Sequence, residues 1–220
     1  VTIIGLNDFH GQLDPVSTSV DGVNNLVGGA AILGTMFEEE AAALPGPALL
    51  LAGGDNVGAS PANSSLLEDA PAIDVENAWG LDATAYGNHE FDYGLTRLLA
   101  HQARADFPFL AVNIVDEITG LTPDWVRTSK IFNVNGVKVG VIGAALETTP
   151  ELVSAGATAG LDFLPAVERI TAESKWMERL GVRVQIVVIH EGSSLGQNRI
   201  DGNPSADWQG PIVDIAEGLQ

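Results

Sequence analysis

Short apolar runs alternate with longer segments of helical spacing along this chain. Residues 1–6, 48–52, 83–86, 107–114 and 184–189 are compact hydrophobic stretches of strand length, rich enough in Val, Ile and Leu to be buried on both faces. Between them, residues 28–43, 72–79, 95–105, 165–180 and 212–219 carry helical spacing. Gly80 and Gly181 stand where two of these helices should stop, and Pro165 opens a first turn. Residues 131–134 and 137–142 flank Asn135-Gly136, a pair suited to a two-residue hairpin, and residues 192–210 form a long polar stretch carrying Gly, Ser, Asn, Asp and Pro that reads as a loop. The order is that of one α/β domain with a largely parallel sheet. The helix at 212–219 leads into no further strand, so the C-terminus is expected to be cut.

Three polar clusters sit where apolar runs end: Asp8-Phe9-His10-Gly11, Gly53-Gly54-Asp55-Asn56 and Gly87-Asn88-His89-Glu90-Phe91-Asp92. His190 follows a fourth run. In an α/β sheet with right-handed crossovers the C-terminal strand ends share one edge, where ligands bind. Residues as far apart as Asp8 and His190 can therefore converge. Asp, Asn and Gly are also ordinary turn residues, and Asp92 alone could simply face the start of the next helix. Carboxylate, imidazole and amide carbonyl are nonetheless the groups that hold a pair of divalent ions with positions left open for water and phosphate. His101, in mid-helix and away from the strand ends, is expected to be a surface or groove histidine.

Charge narrows the partners. With 29 acidic and 10 basic residues the formal net charge is −19, which argues against binding nucleic-acid polymers or anionic membranes. A phosphate substrate would need local positive charge, and bound cations can supply it. There are no cysteines, so disulfide and thiolate chemistry are excluded and the compartment stays open. No stretch approaches the ~18 continuous apolar residues that span a bilayer. Val1 already lies in an apolar run, the mark of a mature or trimmed start.

The series Asn7-Asp8-Phe9-His10-Gly11, Gly54-Asp55, Tyr86-Gly87-Asn88-His89-Glu90-Phe91-Asp92-Tyr93-Gly94 and His190 resembles the calcineurin-like metallophosphoesterases, within them the secreted 5′-nucleotidase branch, over essentially the whole chain. The resemblance implies an α/β fold of four αββα layers around two divalent ions, Zn, Mn or similar. It implies Asp8 and His10 on one ion, Asn88 and His190 on the other, and Asp55 bridging both, so that a shared water is available as hydroxide near neutral pH. His89 then faces the phosphoryl group, oriented by Asp92, while Glu90 supports the metal ligands without being one. Asn88, His89 and Asn113 are the implied substrate contacts, although Asn113 could equally be a turn residue. An extracytoplasmic location follows from the same resemblance.

One departure stands out. The family takes two further ligands from a Gly-His-x-His segment, and no histidine follows His190. The base-binding C-terminal domain of that branch is missing too. Residues 1–220 are thus expected to be an incomplete catalytic domain, weakly active or inactive by itself, of an enzyme that hydrolyses nucleoside monophosphates. A 2′,3′-cyclic-nucleotide phosphodiesterase or a nucleotide-sugar diphosphatase on the same centre is the alternative activity. A noncatalytic metal-binding or interaction domain is the alternative of another kind. Oligomeric state is not legible.

Overall fold

The apolar runs become parallel strands because each is bounded by turns and too short for a stable helix. The computed structural model describes residues 1–195 and 208–219. Strands β1 (Thr2–Leu6), β4 (Ala48–Ala52), β5 (Ala83–Ala85) and β6 (Phe109–Leu110) form one parallel sheet in the order β1-β4-β5-β6. Leading out of β1, β2 (Val16–Val20) and β3 (Val23–Val27) pair as an exposed hairpin. A second sheet has the order β11-β9-β8, from β8 (Ser129–Val134), β9 (Val137–Ala144) and β11 (Val184–Ile189), with β8 antiparallel to β9 and β11 parallel to it. The short strands β7 (Ile114–Asp116) and β10 (Leu161–Phe163) pair with each other, as do β12 (Ser194–Leu195) and β13 (Trp208–Gln209).

Strand alternation sorts the core into three layers. Leu49, Leu51 and Ala83 of the first sheet meet Val139, Val141, Ile186 and Val188 of the second. On the far side of the first sheet, Leu50 and Ala52 pack with Ile73 and Leu98, from helices α3 (Ala70–Trp79) and α4 (Gly94–Arg104), beside α1 (Ala30–Ala43) and the single turn α2 (Ala62–Ser65). On the far side of the second, Ile142 and Ala144 meet Ile170 and Met177 of α6 (Ala166–Arg179), with α5 (Thr149–Leu152) and α7 (Pro211–Gly218) completing the helices. The architecture is helix, sheet, sheet, helix. Gly140 lets α6 come close, since a Cβ there would lie 2.3 Å from Met177 Sδ.

Several expected elements differ in detail. The run at 107–114 is two strands, because residues 111–113 leave the first sheet and Val112 N–H donates to Gly143 O of β9 at 2.9 Å. The expected loop at 192–210 contains β12 and β13, and residues 196–207 of it lie outside the described residues. The β2–β3 hairpin was not expected. Its Asp21-Gly22 turn has φ values of 52° and 77°, near those of Asn135-Gly136 at 51° and 83°.

Glu76 of α3 is buried with neither carboxylate oxygen hydrogen-bonded. Burial, with the charge of Glu90 behind it, raises its pKa well above the ordinary 4.5. The native state therefore keeps a proton that the unfolded chain releases, and stability falls as pH rises above about 4.5, by at most ~1.4 kcal/mol per unit. Glu76→Gln should flatten this dependence, raising Tm at pH 7.5 and changing it little at pH 4. Equal shifts at both pH values would refute the buried proton.

Candidate metal centre

The loop after β1 is held by Phe9, which is buried and packs edge-on against Trp79 with ring centroids 4.8 Å apart. Of its neighbours, Asp8 is exposed and His10 half-buried. Three backbone bonds zip this loop to the one after β4: Asp8 N–H to Gly54 O, His10 N–H to Asp55 O and Gly11 N–H to Asn56 O, at 3.1, 3.0 and 2.9 Å. To run this way Asp8, His10 and Asp55 adopt left-handed backbone, with φ of 54°, 47° and 55°.

Asp55, 3% exposed, is the hub. Its Oδ2 lies 3.2 Å from His190 Nε2, 3.8 Å from His10 Nε2 and 4.0 Å from His89 Nε2. Its Oδ1 accepts the His89 backbone N–H at 2.9 Å. Each imidazole has its other nitrogen engaged: His10 Nδ1 with Gly58 O at 2.9 Å, His190 Nδ1 with Gly53 O at 3.2 Å, and His89 Nδ1 with Asp92 Oδ2 at 2.8 Å. An Nδ1–H donated to a carbonyl or carboxylate leaves Nε2 as the lone-pair nitrogen, which is how ligating histidines are normally held.

Two groups of possible ligand atoms, each within 4.8 Å of one another, share Asp55: His10 with His89, and Asp8 with His190. The sequence expectation placed Asp8 with His10, and His190 with Asn88, around a shared Asp55; Asp55 belongs to both groups, and His10 Nε2 also lies 3.7 Å from Asp8 Oδ1. Asn88 is buried between Gly87, whose N–H donates to Glu90 Oε2, and His89, whose N–H donates to Asp55 Oδ1.

Electrostatics follow from this packing. Burial works against a charged Asp55, but His190 and His89 hold its pKa below the ordinary 3.8. Burial likewise opposes a charged His190 ring, yet the bond to Asp55 and nearby Glu90 and Asp8 keep its pKa at about 9. Against partial burial, Asp92 and Asp55 raise that of His89. The charge and donor set fit divalent ions.

Glu90 is buried beneath the centre, where burial and Asp55 push its pKa up to about 7 while three backbone N–H groups draw it down. Asn113 is fully buried. Its amide donates to Ala145 O and Leu164 O at 2.8 and 3.1 Å and accepts from Ala145 N–H at 2.8 Å. Both side-chain donors are thus used in joining the end of β9 to the loop before α6. His101 is corrected: it is 3% exposed, with Nε2 bonded to Glu68 O at 2.7 Å. A cleft of about 750 Å³ runs from Asp8, Gly53 and His190 down between Ile3 of β1 and Ile186 and Val188 of β11. No helix among the described residues is long and apolar enough to cross a membrane.

A family model described as calcineurin-like phosphoesterase matches residues 1–215. The cell wall protein Lmo0130 of Listeria monocytogenes is 32% identical over 215 residues, covering 86% of this chain and 27% of that protein. A 5′-nucleotidase of Vibrio vulnificus is 32% identical over 187 residues, covering 81% of this chain and 32% of its own length. Among solved structures, the 5′-nucleotidase precursor of Thermus thermophilus superposes with a TM-score of 0.73 at 26% identity, over 86% of this chain and 37% of that one. The chain thus spans about a third or less of the length of these two curated relatives.

Proposed function

Because this chain belongs to the calcineurin-like phosphoesterase family, we propose that it carries the catalytic centre of a metal-dependent hydrolase that releases phosphate from nucleoside 5′-monophosphates. The observation that carries the reading is Asp55 Oδ2 within 4.0 Å of three imidazole Nε2 atoms, one of them in a His–Asp pair. Asp8, His10, Asp55, Asn88 and His190 would hold the cations. When bound, these supply Lewis acidity and a local positive charge that the acidic surface lacks.

His89 has a different task. Asp92 accepts its Nδ1–H and fixes the ring, so that Nε2 faces the Asp55 hub from the rim. Against partial burial, Asp92 and Asp55 raise the pKa of the ring from the ordinary 6.5, which favours the protonated ring, and Nε2 is the atom from which a proton would pass to the leaving oxygen of a phosphate ester. The carboxylate of Asp92 balances the charge of the protonated ring. The nucleotide class is supported by the Vibrio and Thermus relatives, and an extracytoplasmic location by the cell wall relative from Listeria.

All four histidines of the chain are placed, three of them at the centre and His101 elsewhere. Two further donors are proposed to come from a Gly-His-x-His segment, with the chain acting as an incomplete catalytic domain. Phosphate release from AMP with added Mn or Zn should accordingly be at least ~100-fold lower for the 220 residues than for a longer chain that includes such a segment. Equal turnover would show that the extra histidines are not needed. Cleavage of bis(p-nitrophenyl) phosphate but not AMP by the longer chain would favour the phosphodiesterase reading instead.

A further inference from the structure

Glu90 is 2% exposed, yet its carboxylate is turned toward backbone and not toward the ligand atoms. Oε2 accepts the N–H of Gly87 at 2.6 Å and of Asp55 at 3.0 Å, and Oε1 accepts that of Asn56 at 2.8 Å. These amides belong to two loops that follow different strands, β4 and β5. The loops are pressed together: a Cβ on Gly54 would lie 2.5 Å from Gly87 N, and one on Gly87 would lie 2.0 Å from Asp55 Oδ1. A return bond runs from His89 N–H to Asp55 Oδ1. Asp55 is therefore gripped twice, its amide by Glu90 and its carboxylate by the residue before Glu90.

We propose that Glu90 is a positioning residue that preorganises the centre, fixing Asp55 at the junction of the two ligand groups before any cation arrives. A carboxylate is required because donors approach both of its oxygens. An amide would aim its NH2 at one of the three N–H groups and lose that bond. The two ligand groups have only Asp55 in common, so its placement decides whether one cation or two can be held. Freed from Glu90, Asp55 can serve one ion at the expense of the other.

The proposal rests on the metal-centre reading for its binding arm, and the experiment separates the two. Amide hydrogen exchange on the metal-free wild type should show the Asp55, Asn56 and Gly87 N–H groups slowed at least ~100-fold relative to unstructured amides, a factor of ten in exchange corresponding to about 1.4 kcal/mol. Free exchange there would overturn the clamp whether or not any variant folds. In Glu90→Gln at least one of the three amides should lose protection while those of the β9 core keep theirs, and titration with Mn²⁺ should show a second site weakened ~10–100-fold with the first retained. Wild-type protection and wild-type Mn²⁺ affinity in Glu90→Gln would equally overturn the proposal. Slowed amides in a wild type that binds no Mn²⁺ would sink the metal reading and leave the clamp standing.

Discussion

Asp55→Asn is expected to empty both halves of the centre together. Metal affinity of a chain that carries the full ligand set should fall at least ~100-fold, the upper range for loss of a group supporting a metal site, and AMP hydrolysis should fall with it. The reason lies in the position of Oδ2, which three imidazole nitrogens approach. Asparagine can still accept the His89 N–H through its carbonyl, but the atom at the hub becomes an NH2, which donates and cannot bind a cation. His10→Asn, by contrast, removes a donor from one group alone and should leave about one equivalent of metal. Measuring bound Mn or Zn after desalting distinguishes the two variants. If Asp55→Asn retained two ions, the carboxylate would not bridge.

His89→Asn should separate binding from turnover. Metal content is expected to stay near wild type while kcat falls by about 10²–10⁴, the usual worth of a positioned general acid. The ring lies farther from Asp55 Oδ2 than the other two and is tied to Asp92, at 4.0 and 2.8 Å. Asp92→Asn should follow it with a smaller loss, because the ring remains but the carboxylate that orients it and supports its charge is gone. A His89→Asn protein stripped of metal would make His89 a ligand and reverse this division of labour. That outcome has a basis in the geometry, which groups His89 with His10 and Asp55.

The parallel strands and the clusters at their ends were legible because two signals agree: apolar runs of strand length, and polar ligand-type residues just beyond them. Other features carried signals that were read too narrowly. Asp21-Gly22 has the same turn chemistry as Asn135-Gly136, but its flanks, Val16–Val20 and Val23–Val27, alternate Val with Ser, Thr and Asn and lack the apolar density of a core strand. His101 follows Leu95 and Leu98 at intervals of three, on the face that α4 buries, so its burial was implied by the spacing that placed the helix. The backbone partners of Asn113 and Glu90 were not legible at all. Apart from Gly87, three residues before Glu90, they depend on loops more than thirty positions away in sequence coming within hydrogen-bond distance, which no local pattern encodes.

Selection for durability alone would have erased the left-handed turns at Asp8, His10 and Asp55. Each non-glycine residue in that conformation costs of order 1 kcal/mol, somewhat less for Asp, whose short side chain tolerates it best. Glycine would relax every one of them, and the neighbouring Gly11 and Gly54, already at positive φ, show how readily these loops accept it. A lineage that kept this fold merely as a scaffold would drift toward glycine there and become sturdier. The chain carries two carboxylates and an imidazole at three positions where glycine would cost less, and that expense fits a centre in use better than an idle scaffold.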